Sequence, residues 1–406
     1  MDSKGKSVVS LNLLNKNALD IFNCYGYPNK NNEDWKYTNL KKFQSFNFSK
    51  PENFVPSKRK YNFDDLGITT INIINNKIMF DDKPNILTLK TLFDDKSNKI
   101  YKNFIDINSK IAKSNPFFVL NSANFTDGVF IKLDSKMKNV LINLVGYNKT
   151  DTPEAYFNRI HIEVSKNCDS NVFINSYGEK ESSLYYKNTA ITIDLNENSQ
   201  INMTNIFEES IKSYSFNSLI VNQKKHSFYN GKSFFLKSNF IRNDIVNNLF
   251  SEGSNSNLDG LFIGTKNEFI DNNIKINHNS KHTTSKVLYK GILDDKSKAV
   301  FNAQVNVPFK SKKIDSDQKN HNILLSNTAK INSNPKLKIS CDDVKCSHGS
   351  TIGNLDKDSI FYLRSRGIDL NESKKILLNS FMNDIIDKID QDIIKKHISD
   401  SISKIF

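Results

Sequence analysis

Two cysteines and a histidine fall within eight residues, in the run Ser340-Cys341-Asp342-Asp343-Val344-Lys345-Cys346-Ser347-His348-Gly349. Both residue types are scarce, with 4 Cys and 7 His in 406 residues. Thiolate and imidazole are soft or borderline donors, suited to thiophilic metals and sulfur species. The spacing C-x4-C-x-H supplies only three donors and does not match the paired knuckles of a zinc finger. Along an extended strand, Val344, Cys346 and His348 share one face. A bend or bulge near Asp342-Asp343 is then required before Cys341 can join them. On spacing alone, a buried and unreactive cysteine is the commoner outcome. His278, His282 and His321, upstream of the cluster, read individually as structural or solvent-facing.

The elements that must position this cluster are mainly strands. From about residue 117 to 350, short β-branched runs recur every 10 to 20 residues. Val140–Val145, Ile160–Val164, Ala190–Leu195, Leu219–Val221 and Leu337–Ile339 are examples, separated by Asn, Ser, Asp, Lys and Gly turns. No long helical pattern interrupts them, which argues against a βαβ fold. The recurrence predicts a β-solenoid or a large sandwich. Asn-rich turns favour a parallel β-helix, because Asn tolerates left-handed corners. Residues 1–115 form a helical and mixed N-terminal region, with a helix from Ser10, strand-like pieces at Thr69–Ile74 and Lys77–Phe80, and a helix from Asn98 to Ser114. Residues 116–353 form the β core and 354–406 a helical tail. In the tail, Asp356 or Asp358 caps a first helix that ends at Gly367. Asn371 opens the next, with an apolar stripe at Ile376, Leu377, Phe381, Ile385 and Ile389. The stripe reads as a helical cap on the β domain. Trp35, the single tryptophan, reads as a packing anchor.

Composition narrows the function classes. The formal charge is +13, yet only Arg59, Arg159, Arg242, Arg364 and Arg366 are arginines. A nucleic-acid surface draws on Arg, whose fork pairs with phosphate and guanine. Here Lys is scattered among 44 acidic residues, without a basic block, so the charge reads as composition. The four cysteines do not form a disulfide framework. Neither a signal peptide nor a membrane-length apolar run is evident. These features predict a folded chain of the reducing cytoplasm, with no nucleic acid and no membrane as partner. There is no phosphate loop, nucleophile elbow, H-E-x-x-H or dinucleotide fingerprint. Nucleotide energy would therefore come from another protein.

The run Asp342-Asp343-Val344-Lys345-Cys346-Ser347-His348-Gly349, with Phe361-Tyr362-Leu363-Arg364-Ser365-Arg366-Gly367-Ile368 downstream, resembles the SufD family of the SUF iron–sulfur cluster assembly machinery. Three collinear stretches agree: Glu33-Asp34-Trp35-Lys36-Tyr37-Thr38, then His282-Thr283-Thr284-Ser285 with Tyr289-Lys290-Gly291, then Gln318 to Ser326. The paralogous SufB family shares the C-terminal half but lacks the D-D-V-K-C-S-H-G string. The resemblance implies a mainly β fold: a right-handed parallel β-helix core between N- and C-terminal helical regions. It implies a non-catalytic scaffold that pairs with SufB through the end of the β-helix and docks the ATPase SufC through its terminal helices. A homodimer is the expectation for the chain alone. It implies no tightly bound cofactor in isolation, and a nascent Fe–S cluster in complex with SufB. His348 occupies the place of the family's interfacial histidine and is the candidate iron ligand; Cys346 matches the neighbouring family cysteine. Cys341 falls where the family usually has a small residue and reads as a passenger. Arg364 and Arg366 match the family, with an ion-pair role as natural as a functional one. The rival readings are a β-helix carbohydrate-active lyase, which needs a carboxylate-lined cleft, and a SufB-like scaffold that holds the cluster itself.

Overall fold

A computed structural model describes residues 3–51, 68–93, 99–148 and 152–405. Its centre is a parallel β-solenoid. From Val129–Leu133 onward, successive strands alternate between two sheets, so each pairs with the strand two along the chain; with the N-terminal strands included, the sheets have ten and nine strands. Apart from a shift between Phe235 and Lys237, the register carries from coil to coil: Ile245 lies between Leu219 and Ile274, and Ile274 pairs with Ala303. Because side chains alternate along a strand, each such column points wholly inward or wholly outward. The inward columns make one long apolar core, including Ile160, Ile191, Leu219, Ile245 and Ile274.

The corners explain the Asn-rich spacing. Asn167 and Asn198 sit at positive φ, 57° and 54°, but so do His226, Lys266, His282, Asp295 and Lys313. The stacked coils impose the left-handed corner, and residues less suited to it than Asn accept it. Outward Asn side chains add a second device. Asn222, Asn248, Asn277 and Asn306 bond in series at 2.7–3.0 Å, starting from Asp194 at 2.8 Å. Gly260 allows a close approach, since a Cβ there would lie 2.2 Å from the Tyr289 ring.

The two ends of the solenoid differ. At the N-terminal end the sheets finish in antiparallel partners. Lys77–Phe80 folds back on Thr69–Ile74, and Ile86–Thr88 on Val129–Leu133. Thr69–Ile74 itself pairs in parallel with Asn139–Gly146. At the other end Lys330–Ile339 and Val344–Gly353 are edge strands. Burial fades across them, and most of Val344–Gly353 is exposed.

Helices cover the outer faces. Pro116–Asn124, capped by Asn115, packs Phe118 against Ala190 and Ile220. The segment Glu33–Thr38 locks onto the same sheet. Trp35 is buried, stacks on Phe117, and carries the Arg242 guanidinium 3.6 Å above its ring. Arg242 pairs with Asp244 at 2.8 Å and with Asp271, which also accepts from Thr38. Trp35 is thus an anchor, with a cation on its face.

The helices Leu370–Ile386 and Asp392–Ser403 lie on the opposite sheet. Leu378, Met382, Ile385, Ile386, Ile394 and Ile398 join the outward residues Leu261, Ile263 and Ile292 in one cluster. The buried stripe is therefore offset from the expected one: Ile385 and Ile389 are buried, while Ile376 is 37% exposed. Asp369, not Asn371, caps this helix. Lys290 donates to the Phe381 carbonyl at 2.8 Å and pairs with Asp384. Lys388–Asp259 at 2.6 Å and His397–Glu208 at 3.0 Å complete the docking. The preceding helix, Lys357–Ser365, starts at Asp356, whose side chain accepts from the Ser359 N–H at 3.0 Å. It buries none of its residues, and Phe361 and Tyr362 are 75% and 58% exposed.

Candidate functional site at the open end of the solenoid

The register decides where the cysteine–histidine run points. Val344, Cys346 and His348 pair with Ile314, Ser316 and Gln318, and all three partners are buried. Val344 and Cys346 pack against the interior core. Two residues beyond His348, Ser350 donates to the inward Ser333 at 2.8 Å. His348 lies between Cys346 and Ser350 with the same parity, so it belongs to the interior ladder. It is exposed because no coil lies below it.

Followed down the solenoid, its column reads Val172, Met203, Gly231, Leu258, Val287, Gln318, His348. Apolar residues fill it until the last two coils, where an amide and an imidazole appear. The neighbouring column reads Tyr229, Ser256, Ser285, Ser316, Cys346. Ser285 and Ser316 exchange a hydrogen bond at 2.8 Å, and Ser285 also meets the buried His278 ring at 2.9 Å. The open mouth is thus lined with hydroxyl, amide, thiol and imidazole groups, at the end of a mainly apolar core. The exposed ones, His348 and Ser350, cost little while water reaches them, and a covering partner must satisfy them.

Cys341 does not join this ladder. It lies at the corner between the last two strands, buried in the interior cluster. Burial pushes the Cys346 thiol pKa up, and the Asp315 charge pushes the same way. Among the described residues, no three His, Cys, Asp or Glu side chains gather closely enough to hold a metal ion. His278 is fully buried between Thr283 and Ser285. His282 forms a corner. His321 bonds Thr351 at 2.8 Å in the groove between the last strands and the helix carrying Phe381 and Asp384. Arg366 lies 5.2 Å from the Tyr362 ring, and neither Arg364 nor Arg366 has an ion-pair partner among the described residues.

A family model described as the SUF system FeS cluster assembly SufBD core domain matches residues 146–381. The chain belongs to the SufBD family. The SufBD core spans most of the solenoid, including the open end, and the start of the docked helices. Relatives carry the same assignment. The iron–sulfur cluster assembly protein SufD of Escherichia coli is 29% identical over 242 residues, 59% of this chain and 56% of that protein. A SufBD family protein of Synechocystis is 27% identical over 402 residues, 93% of this chain and 87% of its own length. SufD of Bacillus subtilis is 24% identical over 157 residues, 39% of this chain and 36% of that protein. The chain thus spans little more than half of the Escherichia coli SufD. In sequence it is SufD-like. No helix among the described residues is long and apolar enough to cross a membrane.

Two features escaped sequence reasoning. Gln318 was legible only as part of a motif, with nothing to mark it as the residue stacked on His348. Inside the solenoid, Lys187 and Glu209 form an ion pair of 2.7 Å with both side chains fully buried. Burial lowers the Lys187 pKa, while the Glu209 charge and hydrogen bond oppose that shift. Nothing in an alternating strand pattern signals a charge in an inward position.

Proposed function

We propose that this chain is a non-catalytic scaffold subunit of a SUF complex, acting in the cytoplasm. It pairs with SufB through its last coil and docks SufC through its C-terminal helical region. The carrying observation is the open end: two unpaired edge strands whose inward ladder, His348 included, is left in water. Unpaired parallel edges are templates for another chain. A partner that covers this end also brings its own donors to His348, completing a ligand set that the described residues do not gather. The exposed Phe361 and Tyr362 on a helix with no buried residue support docking of SufC. This departs from the cap reading of the tail, which holds for the two following helices.

Neutral imidazole is a competent iron ligand. In this reading His348 and a SufB thiolate share iron or a nascent cluster as cargo, with Cys346 as a secondary donor. A ligand shared across an interface is released when the interface moves, and ATP hydrolysis by SufC would drive that movement. The test is anaerobic cluster reconstitution in the complex co-expressed with SufB and SufC. His348→Ala should lower the yield at unchanged complex stoichiometry. A normal yield would remove the ligand role, and failure to co-purify would remove the partner assignment.

A further inference from the structure

The last two residues of the inward column are Gln318 and His348, paired directly in register. Gln318 is 1% exposed, and its amide donates to the Lys336 carbonyl at 3.3 Å. Its Oε1 is buried with no hydrogen-bond partner. A buried carbonyl oxygen left without a donor costs about 1–3 kcal/mol. Such an orphan needs a physical reason. Adjacent parallel strands lie about 4.8 Å apart, which places the His348 ring within reach of that oxygen. The His348 ring makes no hydrogen bond among the described residues while its side of the ladder is open.

We propose that Gln318 is the positioning residue for His348. When a partner covers the open end, Oε1 of Gln318 accepts a hydrogen bond from one ring N–H of His348. That bond selects one tautomer, fixes the ring plane, and leaves the other nitrogen as the lone-pair donor. Histidines that bind metal almost always donate their second N–H to an oxygen in this way, and losing that oxygen typically costs ten- to a hundredfold in metal affinity, as an order of magnitude of about 10–100. The inference rests on His348 being an iron ligand, and it adds the group that orients it.

The experiment is Fe(II) titration against a competing chelator, in the full chain complexed with SufB and SufC. Wild type is compared with Gln318→Leu, Gln318→Glu and His348→Ala, and each variant's thermal midpoint is measured. Gln318→Leu should weaken iron retention about 10–100-fold. Gln318→Glu, which still offers an acceptor oxygen, should keep wild-type affinity. A purely structural role predicts the opposite order, since leucine suits a buried column better than a carboxylate does. Parallel loss in both variants, tracking the midpoints, overturns the inference. So does a neutral Gln318→Leu beside a weakened His348→Ala, and in that case the ligand role of His348 stands. A neutral His348→Ala overturns both.

Discussion

Single residues set the acid sensitivity of this molecule. Burial holds the His278 imidazole pKa down at about 4. Burial does the same for His161, to about 4, with the Arg159 charge assisting and Asp194 opposing. In an unfolded chain both titrate near 6.5. Between 6.5 and 4 the unfolded state therefore binds the protons and the folded state does not, so stability present above pH 6.5 is lost as pH falls. The slope is about 1.4 kcal/mol per pH unit for each such histidine at most. Urea unfolding at several pH values across this window should show the decline, and His278→Gln should remove one histidine's share. An unchanged slope in that variant would mean that His278 is protonated in the fold. The same desolvation physics raises the Cys346 thiol pKa, which disfavours the thiolate, the form that binds metal.

The C-terminal elements divide the two roles that a tail can play. Leu370–Ile386 and Asp392–Ser403 are held by a shared apolar cluster and by ion pairs to the sheet. Ile398 is fully buried, so Ile398→Ala should cost about 2–5 kcal/mol in urea unfolding. Lys357–Ser365 contributes almost nothing to that packing. Phe361→Ser should shift stability by less than about 0.5 kcal/mol, yet abolish co-purification with SufC. If Phe361→Ser instead lowers stability as Ile398→Ala does, the helix is part of the cap. The apolar spacing of the tail revealed that it was helical and amphipathic. It did not reveal the buried face, because Ile376 and Leu378 are equally apolar and only the docking against Leu261, Ile263 and Ile292 chooses between them.

At the scale of the molecule, both sheets finish in edge strands at each end, antiparallel ones at the N-terminal end and parallel ones at the C-terminal end. The antiparallel strands Lys77–Phe80 and Ile86–Thr88 terminate the N-terminal end. Val344–Gly353 and Lys330–Ile339 leave their outer edges unpaired. Hydrogen exchange should show this asymmetry. In the chain alone, amides of 344–353 should exchange fast while those of Phe269–His278 stay protected. Adding SufB should protect 344–353 selectively. Uniform protection without SufB would indicate that a second copy of this chain already covers the end.

By itself the sequence determined the class of fold and its rhythm. Short β-branched runs with tight polar turns bury their apolar faces only against another sheet or coil, so periodicity narrowed the core to a solenoid or a large sandwich, and the Asn-rich turns favoured the solenoid. The scarcity of Cys and His made the run from Cys341 to His348 visible before any fold was known, and the helix caps at Asp356 and Gly367 were local chemistry. Tertiary structure decided what the run means. Whether Cys346 and His348 face the core depends on register with Ser316 and Gln318, residues about 30 positions upstream that no local pattern connects to them. Exposure of an inward histidine depends on the solenoid stopping there, a property of the last coil's missing neighbour and of no residue in it. Cys341, five residues from Cys346, became core rather than site because the corner between two strands turned it inward. Side-chain chemistry is written locally, but burial and juxtaposition are set by the stacking of coils.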